Sequence, residues 1–180
     1  VEKENLIKIA IVGPESTGKS TLAAQLADAF NTVYLSEYAR SFFDEHNINY
    51  YTLKDLETIY RQQLLEESFL LKNAEGILFS DTALISGRVW ATEVFQELPP
   101  VLSDESLSKH SQHFYVLCDT DLPWVEDPQR KNPHNRKHLF ERHVEELKRI
   151  GAEYAVITGL NEERFDNALK AVQAFLKTVT

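Results

Sequence analysis

The sequence predicts an α/β fold, a parallel sheet of five strands covered by helices on both faces. Three observations predict it. Short apolar runs alternate with longer segments of helical period along the chain. The first run, Leu6 to Val12, is interrupted only by Lys8, so both its faces are expected to be buried, as in a parallel sheet. Between that run and the first helical segment lies the string Gly13-Pro14-Glu15-Ser16-Thr17-Gly18-Lys19-Ser20.

The remaining elements follow in order. Thr21 to Phe30 is helical, with Leu22, Leu26 and Phe30 spaced four apart. Thr32 to Leu35 reads as a second strand and Tyr38 to about His46 as a short helix. Thr52 is placed to cap a long helix reaching about Asn73, with Leu53, Leu56, Tyr60, Leu64 and Leu71 on one stripe. Gly76 to Ser80 is a third strand. Leu84 to Phe95 is helical, and Pro99-Pro100 closes that section. His113 to Leu117 is a fourth strand. Residues 119 to 134 are irregular, with prolines at 123, 128 and 133. A helix covers about Asn135 to Ile150, and Tyr154 to Thr158 is the fifth strand. Asn161 then caps a final helix carrying Phe165, Leu169, Val172 and Leu176. In such sheets ligands collect beyond the carboxyl ends of the strands.

A length of 180 residues fits one domain, residues 1–180, with the irregular segment 119–136 as a lid. The net charge of −9 sets the chain against nucleic acid and anionic membrane surfaces as partners. The single cysteine, Cys118, follows the apolar run Phe114 to Leu117, where a buried, inert thiol is expected; a lone cysteine makes no internal disulfide, which fits a cytoplasmic protein. No apolar stretch has the length of a membrane span, and no signal-peptide pattern opens the chain. The chain begins at Val1 and has no methionine, so both a trimmed chain and a piece of a longer polypeptide are open.

Gly13 to Ser20 satisfies G-x-x-x-x-G-K-[ST], with the strand before and helix after that the motif requires. Glycines let the backbone wrap phosphates, and successive N–H groups form an anion nest at the positive end of the following helix. Gly13, Glu15, Ser16, Thr17, Gly18, Lys19, Ser20 and Thr21 are thus candidates to hold ATP. Lys19 would reach the β- and γ-phosphates, and Ser20 would take Mg²⁺. A chance match in a chain of this length is on the order of one in a hundred. The string therefore assigns the three-layer P-loop NTPase fold.

Asp81, ending the third strand, is placed like a Walker-B aspartate that sets the magnesium or accepts a proton; the alternative is a cap for the helix near Leu84. Glu37 follows the second strand, where a carboxylate can orient or deprotonate an attacking hydroxyl, and Arg40 can bind acceptor or phosphate. A plain surface pair between Glu37 and Arg40 is the alternative. In the segment Asp119 to Arg136, Arg130 and Arg136 are candidate lid arginines, and Trp124 is a candidate stacking residue or hinge. His134, His138 and His143 lack a cysteine or an H-E-x-x-H frame and stand in a basic stretch, which argues against a structural metal.

Taken together, Gly13 to Thr21, Glu37-Tyr38-Ala39-Arg40, Asp81-Thr82 and Asp121-Leu-Pro-Trp124-Val-Glu-Asp127-Pro-Gln-Arg130 resemble the nicotinamide riboside kinase (ribosylnicotinamide kinase) domain of the NadR type, within the wider P-loop kinase and AAA-like ATPase family. Tyr60-Arg61-Gln62-Gln63 resembles a glutamine-bearing segment of that family. The resemblance implies a nucleoside/nucleotide-kinase-like fold. It also implies transfer of the ATP γ-phosphate to the ribose 5′-hydroxyl of nicotinamide riboside, adenine near Gly159, and Gln63 with Trp124 at the nucleoside. Fused members of that family also carry an adenylyltransferase. Where the family's pattern has an aromatic residue before Glu-Tyr, this chain has Ser36. A kinase for another nucleoside or nucleotide, and an ATP-binding regulatory module that phosphorylates nothing, stay open beside this reading.

Overall fold

β1 (Ile7–Val12) lies at the centre of a parallel five-stranded sheet, between β3 (Ile77–Asp81) and β4 (Phe114–Cys118). β2 (Tyr34–Leu35) flanks β3, and β5 (Tyr154–Ile157) flanks β4. The computed structural model describes residues 6–48, 50–74, 76–130 and 133–179. The helices are α1 (Lys19–Ala29), α2 (Tyr38–His46), α3 (Leu53–Asn73), α4 (Leu84–Phe95), α5 (Asp104–Lys109), α6 (Arg136–Arg149) and α7 (Glu162–Val179).

Alternation along β1 divides the core into two layers. Ile9 and Ile11 face α1 and α7, where they pack with Leu22, Leu26, Val172 and Phe175. Ala10 and Val12 face the other way, into Ile85, Leu117 and Leu147 of α4, β4 and α6. These four β1 residues are fully buried, on both faces as expected of the run Leu6 to Val12, whereas Ile7 and Lys8 at the start of β1 are partly exposed. Each fully buried aliphatic side chain of this kind contributes roughly 1.5–3 kcal/mol. A third cluster stands apart from the sheet. Phe42, Leu56, Ile59, Tyr60, Leu84 and Leu102 tie α2, α3 and α4 together beyond the strand ends.

Local signals explain most boundaries. Thr52 caps α3 in a reciprocal box: its hydroxyl accepts from Asp55 N at 3.2 Å, and Asp55 accepts from Thr52 N at 2.8 Å. α1 begins at Lys19, two residues before the predicted Thr21, because Gly18 turns the chain into it at φ 78. The third strand runs through Asp81, one residue beyond the expected end at Ser80, because Asp81 is in register with Ile11. The section after Pro99 is not merely a stop. It forms a 3₁₀ turn at Pro100–Leu102 and then α5, which Ser103 caps through a bond to Ser106 N at 3.3 Å. Both are too short to show a period in sequence. Asn161, expected as a cap, precedes α7 in the left-handed region at φ 51. Among the described residues, no helix is long and apolar enough to cross a membrane.

Candidate active site

The phosphate loop leaves β1 at Gly13 and enters α1 at Gly18. Gly13 has φ 136, and a Cβ there would sit 2.8 Å from the Cys118 carbonyl oxygen, so only glycine lets the loop lie against β4. Thr17 Oγ1 donates to Pro14 O at 2.8 Å, and Lys19 Nζ donates to the same oxygen at 2.8 Å. The ammonium is thus folded onto its own loop, on a neutral acceptor that phosphate oxygens would outbid. The first turn of α1 has no acidic residue, which leaves its positive end open to an anion. Ser20 and Thr21 are exposed at that end.

Asp81 closes β3 beside this loop and is 2% exposed. Among the described residues its Oδ1 has no hydrogen-bond partner. It does not cap α4, whose N-cap residue is Ala83 without a side-chain bond. A buried carboxylate oxygen left bare is costly, so this atom fits the donor set of a hard cation. Burial holds the 118 thiol up at about 11, so Cys118, directly under the loop, stays protonated and inert as expected.

Glu37 stands at the N-cap position of α2 but does not cap it. Its carboxylate instead lies 3.9 Å from Arg40 Nε, with 27% of the side chain exposed. Burial pushes its pKa above the ordinary glutamate value; Lys19 opposes that shift and Asp81 adds to it. The three groups therefore share one electrostatic site, although they come from three different elements.

Gln63, expected against the nucleoside, is placed otherwise. Its side chain is buried; Oε1 accepts from Tyr38 N at 2.8 Å, and Nε2 donates to Ser36 O at 3.2 Å. It clamps the turn that carries Glu37, because that turn leaves the sheet edge with backbone groups that only a side chain can satisfy. Trp124, expected to stack on the acceptor, lies outside the cleft with the Arg136 guanidinium 5.9 Å from its ring centroid.

The described parts of the segment, residues 119–130 and 133–136, are strapped to the phosphate loop. Val125 N donates to Ser16 Oγ at 2.9 Å, while Arg136 donates to Ser16 O at 3.0 Å and Leu122 O at 2.8 Å. Arg136 is thus spent on backbone carbonyls and is not one of the cleft-lining residues. Arg130 does line the cleft. Its NH1 donates to Val125 O at 2.7 Å, and Asp127 links it at 3.8 Å to Arg40 at 3.0 Å. The Gln129 N–H and Arg40 hold the Asp127 carboxyl below its ordinary value. Gly159 also stands away from the cleft wall: its N–H donates to Asp121 Oδ2 at 2.6 Å, and Asp121 pairs with Arg164.

Sequence reasoning missed the other half of the cleft. Beyond Glu37 it is walled by Phe43, Tyr51, Tyr60 and Trp90. Phe43 stacks on Tyr51 with centroids 5.2 Å apart, and Tyr51 lies 6.3 Å from Trp90. Gly87 admits Tyr60, whose ring would be 2.3 Å from any Cβ there. The Trp90 Nε1–H is buried without a partner. Ser86 and His143 complete the wall. These residues carry no motif; the hint in sequence was the density of aromatics between Tyr38 and Trp90. Of the histidines that could suggest a metal, His138 bonds Glu93 at 2.8 Å and His143 bonds Leu139 O at 2.8 Å.

Residues 8–164 match the AAA domain family. The chain is 27% identical over 167 residues to the trifunctional NAD biosynthesis/regulator protein NadR of Escherichia coli (strain K12), a match covering 88% of this chain and 39% of that protein. The chain therefore spans well under half the length of that relative. The crystal structure of NadR protein in complex with NR superposes with a TM-score of 0.79 at 22% identity, over 94% of this chain and 50% of that one. Thymidylate kinase from Ehrlichia chaffeensis superposes with a TM-score of 0.60 at 15% identity, over 98% of this chain and all of that one. At these identities the likeness shows the fold, which is that of P-loop kinases.

Proposed function

Because this chain belongs to the AAA domain family across residues 8–164, we propose that it is an ATP-dependent phosphotransferase that phosphorylates the ribose 5′-hydroxyl of nicotinamide riboside to give the mononucleotide. One observation carries the reading. Glu37, a carboxylate whose pKa burial raises, lines one cleft with the P-loop on one side and the aromatic residues Phe43, Tyr51, Tyr60 and Trp90 on the other.

Each residue then has a task. Loop amides and Lys19 hold the triphosphate, Lys19 exchanging Pro14 O for phosphate oxygens. Mg²⁺, when bound by Ser20 and Asp81, would neutralise phosphate charge. Glu37 orients the 5′-hydroxyl and takes its proton as the new P–O bond forms and the bond to the β-phosphate oxygen breaks. Its raised pKa makes it a better base than a surface glutamate. Arg130 and Arg40, held by Asp127, steady the charge on the transferring phosphoryl. Phe43, Tyr51 and Trp90 take the flat ring of the base.

A second acceptor class is favoured by one feature. Ser36 is exposed and stands outside the cleft wall, so the cleft relies on Phe43, Tyr51 and Trp90, which accept any flat base. ADP release measured across a panel of nucleosides separates the two. Turnover with another nucleoside and none with nicotinamide riboside would move the assignment. ATP binding without turnover on every acceptor would leave a regulatory module.

A further inference from the structure

The wall of the cleft contains a pair that the phosphoryl chemistry leaves unused. His143 on α6 is 4% exposed, and Ser86 on α4 is partly open to the cleft. The geometry fixes every proton in this pair. His143 Nδ1 is 2.8 Å from Leu139 O, a pure acceptor, so Nδ1 carries a proton. Burial depresses the imidazole pKa to about 4, the Leu139 bond opposing and Lys19 adding, so the ring is neutral and Nε2 is a bare lone pair. Ser86 Oγ lies 3.1 Å from that Nε2, and its hydroxyl proton is the one available to fill the bond. The Ser86 oxygen therefore meets the cleft with lone pairs only. It can accept a hydrogen bond and cannot donate one.

Its place in the cleft selects the donor. Ser86 lines the same cleft as Glu37, Lys19 and Trp90, and Trp90 stands one helical turn or about 6 Å further along α4. A nucleoside with its 5′-oxygen at Glu37 and its base at Trp90 carries its ribose across Ser86. Resting on the nucleoside-kinase reading above, we propose that Ser86, with its hydroxyl proton locked by His143, is a specificity-determining residue that accepts a hydrogen bond from a secondary ribose hydroxyl and so selects ribonucleosides over deoxynucleosides. Ser86 would touch the acceptor directly, and His143 would act as a positioning residue behind it.

The test compares a turned-over ribonucleoside with its 2′-deoxy and 3′-deoxy counterparts, in the wild type, Ser86→Ala and His143→Phe. The wild type is expected to lose about 10-fold or more in kcat/KM on one deoxy counterpart, because a site built around a hydroxyl rejects the analogue lacking it. Ser86→Ala should lose a similar factor on the ribonucleoside, lose nothing further on that deoxy analogue, and keep its KM for ATP. In His143→Phe the freed serine hydroxyl can donate as well as accept, so the discrimination should weaken without a matching loss of kcat. Thermal melts show whether that variant folds; where it does not, Ser86→Ala decides alone. An equal loss on ribo and deoxy acceptors in Ser86→Ala, or a wild type that does not discriminate, overturns the proposal while leaving the kinase reading in place. A wild type that turns over no nucleoside overturns both.

Discussion

The phosphate cradle and the acceptor cleft meet at Lys19 and Glu37, yet they are made of different material. The cradle is backbone: amides, a helix end, and glycines whose φ of 136 and 78 no other residue adopts easily. It occupies eight consecutive residues. The cleft is side chain, with walls from α2, α3, α4 and α6, between Phe43 and His143. A backbone-built site must be contiguous, so it leaves a motif. A site built from packed side chains is gathered by the fold and can exchange its members without losing its shape. The cradle is expected to be intolerant of change, and the cleft graded.

The largest effect should come from the cradle. Lys19→Ala removes the group that follows charge onto the transferring phosphoryl, and kcat should fall about 10³-fold, read by ADP release with nicotinamide riboside. The fold should be untouched, because among the described residues that ammonium bonds Pro14 O within its own loop. A modest loss would mean that the loop amides suffice without it.

At the junction, Glu37→Ala should lower kcat about 10²-fold while ATP affinity holds. The pH profile sharpens this. Only the carboxylate accepts the proton, so activity should fall as pH drops through the Glu37 pKa. Burial, with Asp81 adding to it, places that acid limb above the range of an ordinary glutamate. A Glu37→Ala variant with normal kcat, or an acid limb at the ordinary value, removes Glu37 as the base.

Within the cleft, Trp90→Ala should raise KM for the acceptor about 10-fold and leave KM for ATP and kcat nearly unchanged, since a stacking wall binds ground and transition states alike. A parallel fall in kcat would show that the wall also aligns the 5′-hydroxyl, and the contrast between the two regions would narrow.

The same contrast explains what was legible. β1, the P-loop and the capped α3 announce themselves through contiguous signals: an apolar run, a glycine frame, and Thr52 with Asp55. Glu37 and Asp81 were readable because strand ends index positions near the cradle. Gln63 was drawn toward the ligand by segment resemblance, and Trp124 was open between stacking on a ligand and packing as a hinge. Gln63 is in fact held by the Ser36 and Tyr38 backbone, and Trp124 by packing under Arg136. Tyr51 comes from the loop before α3, Ser86 and Trp90 from α4 and His143 from α6; α3 and α4 meet through the tight seat of Tyr60 on Gly87, and no local pattern encodes that contact.

The smallest effect probes whether the junction is strained. Glu37 has a folded-state pKa raised above the ordinary value of 4.5 that it takes in the unfolded chain. The folded chain thus holds this proton more tightly than the unfolded chain does, and stability falls as pH rises through the window from 4.5 to the raised value. Above that window the buried charge burdens the fold in full. Glu37→Gln removes the charge and keeps the shape, so it should melt slightly above the wild type at pH 8, with the gap closing as pH approaches 4.5. Arg40 at 3.9 Å and Lys19 work in the other direction, since each loses an anion in the variant. Thermal melts across pH decide between them. A variant melting below the wild type at pH 8 would mean that those pairings outweigh burial, and that the edge of the cleft, like the cradle, is built for stability.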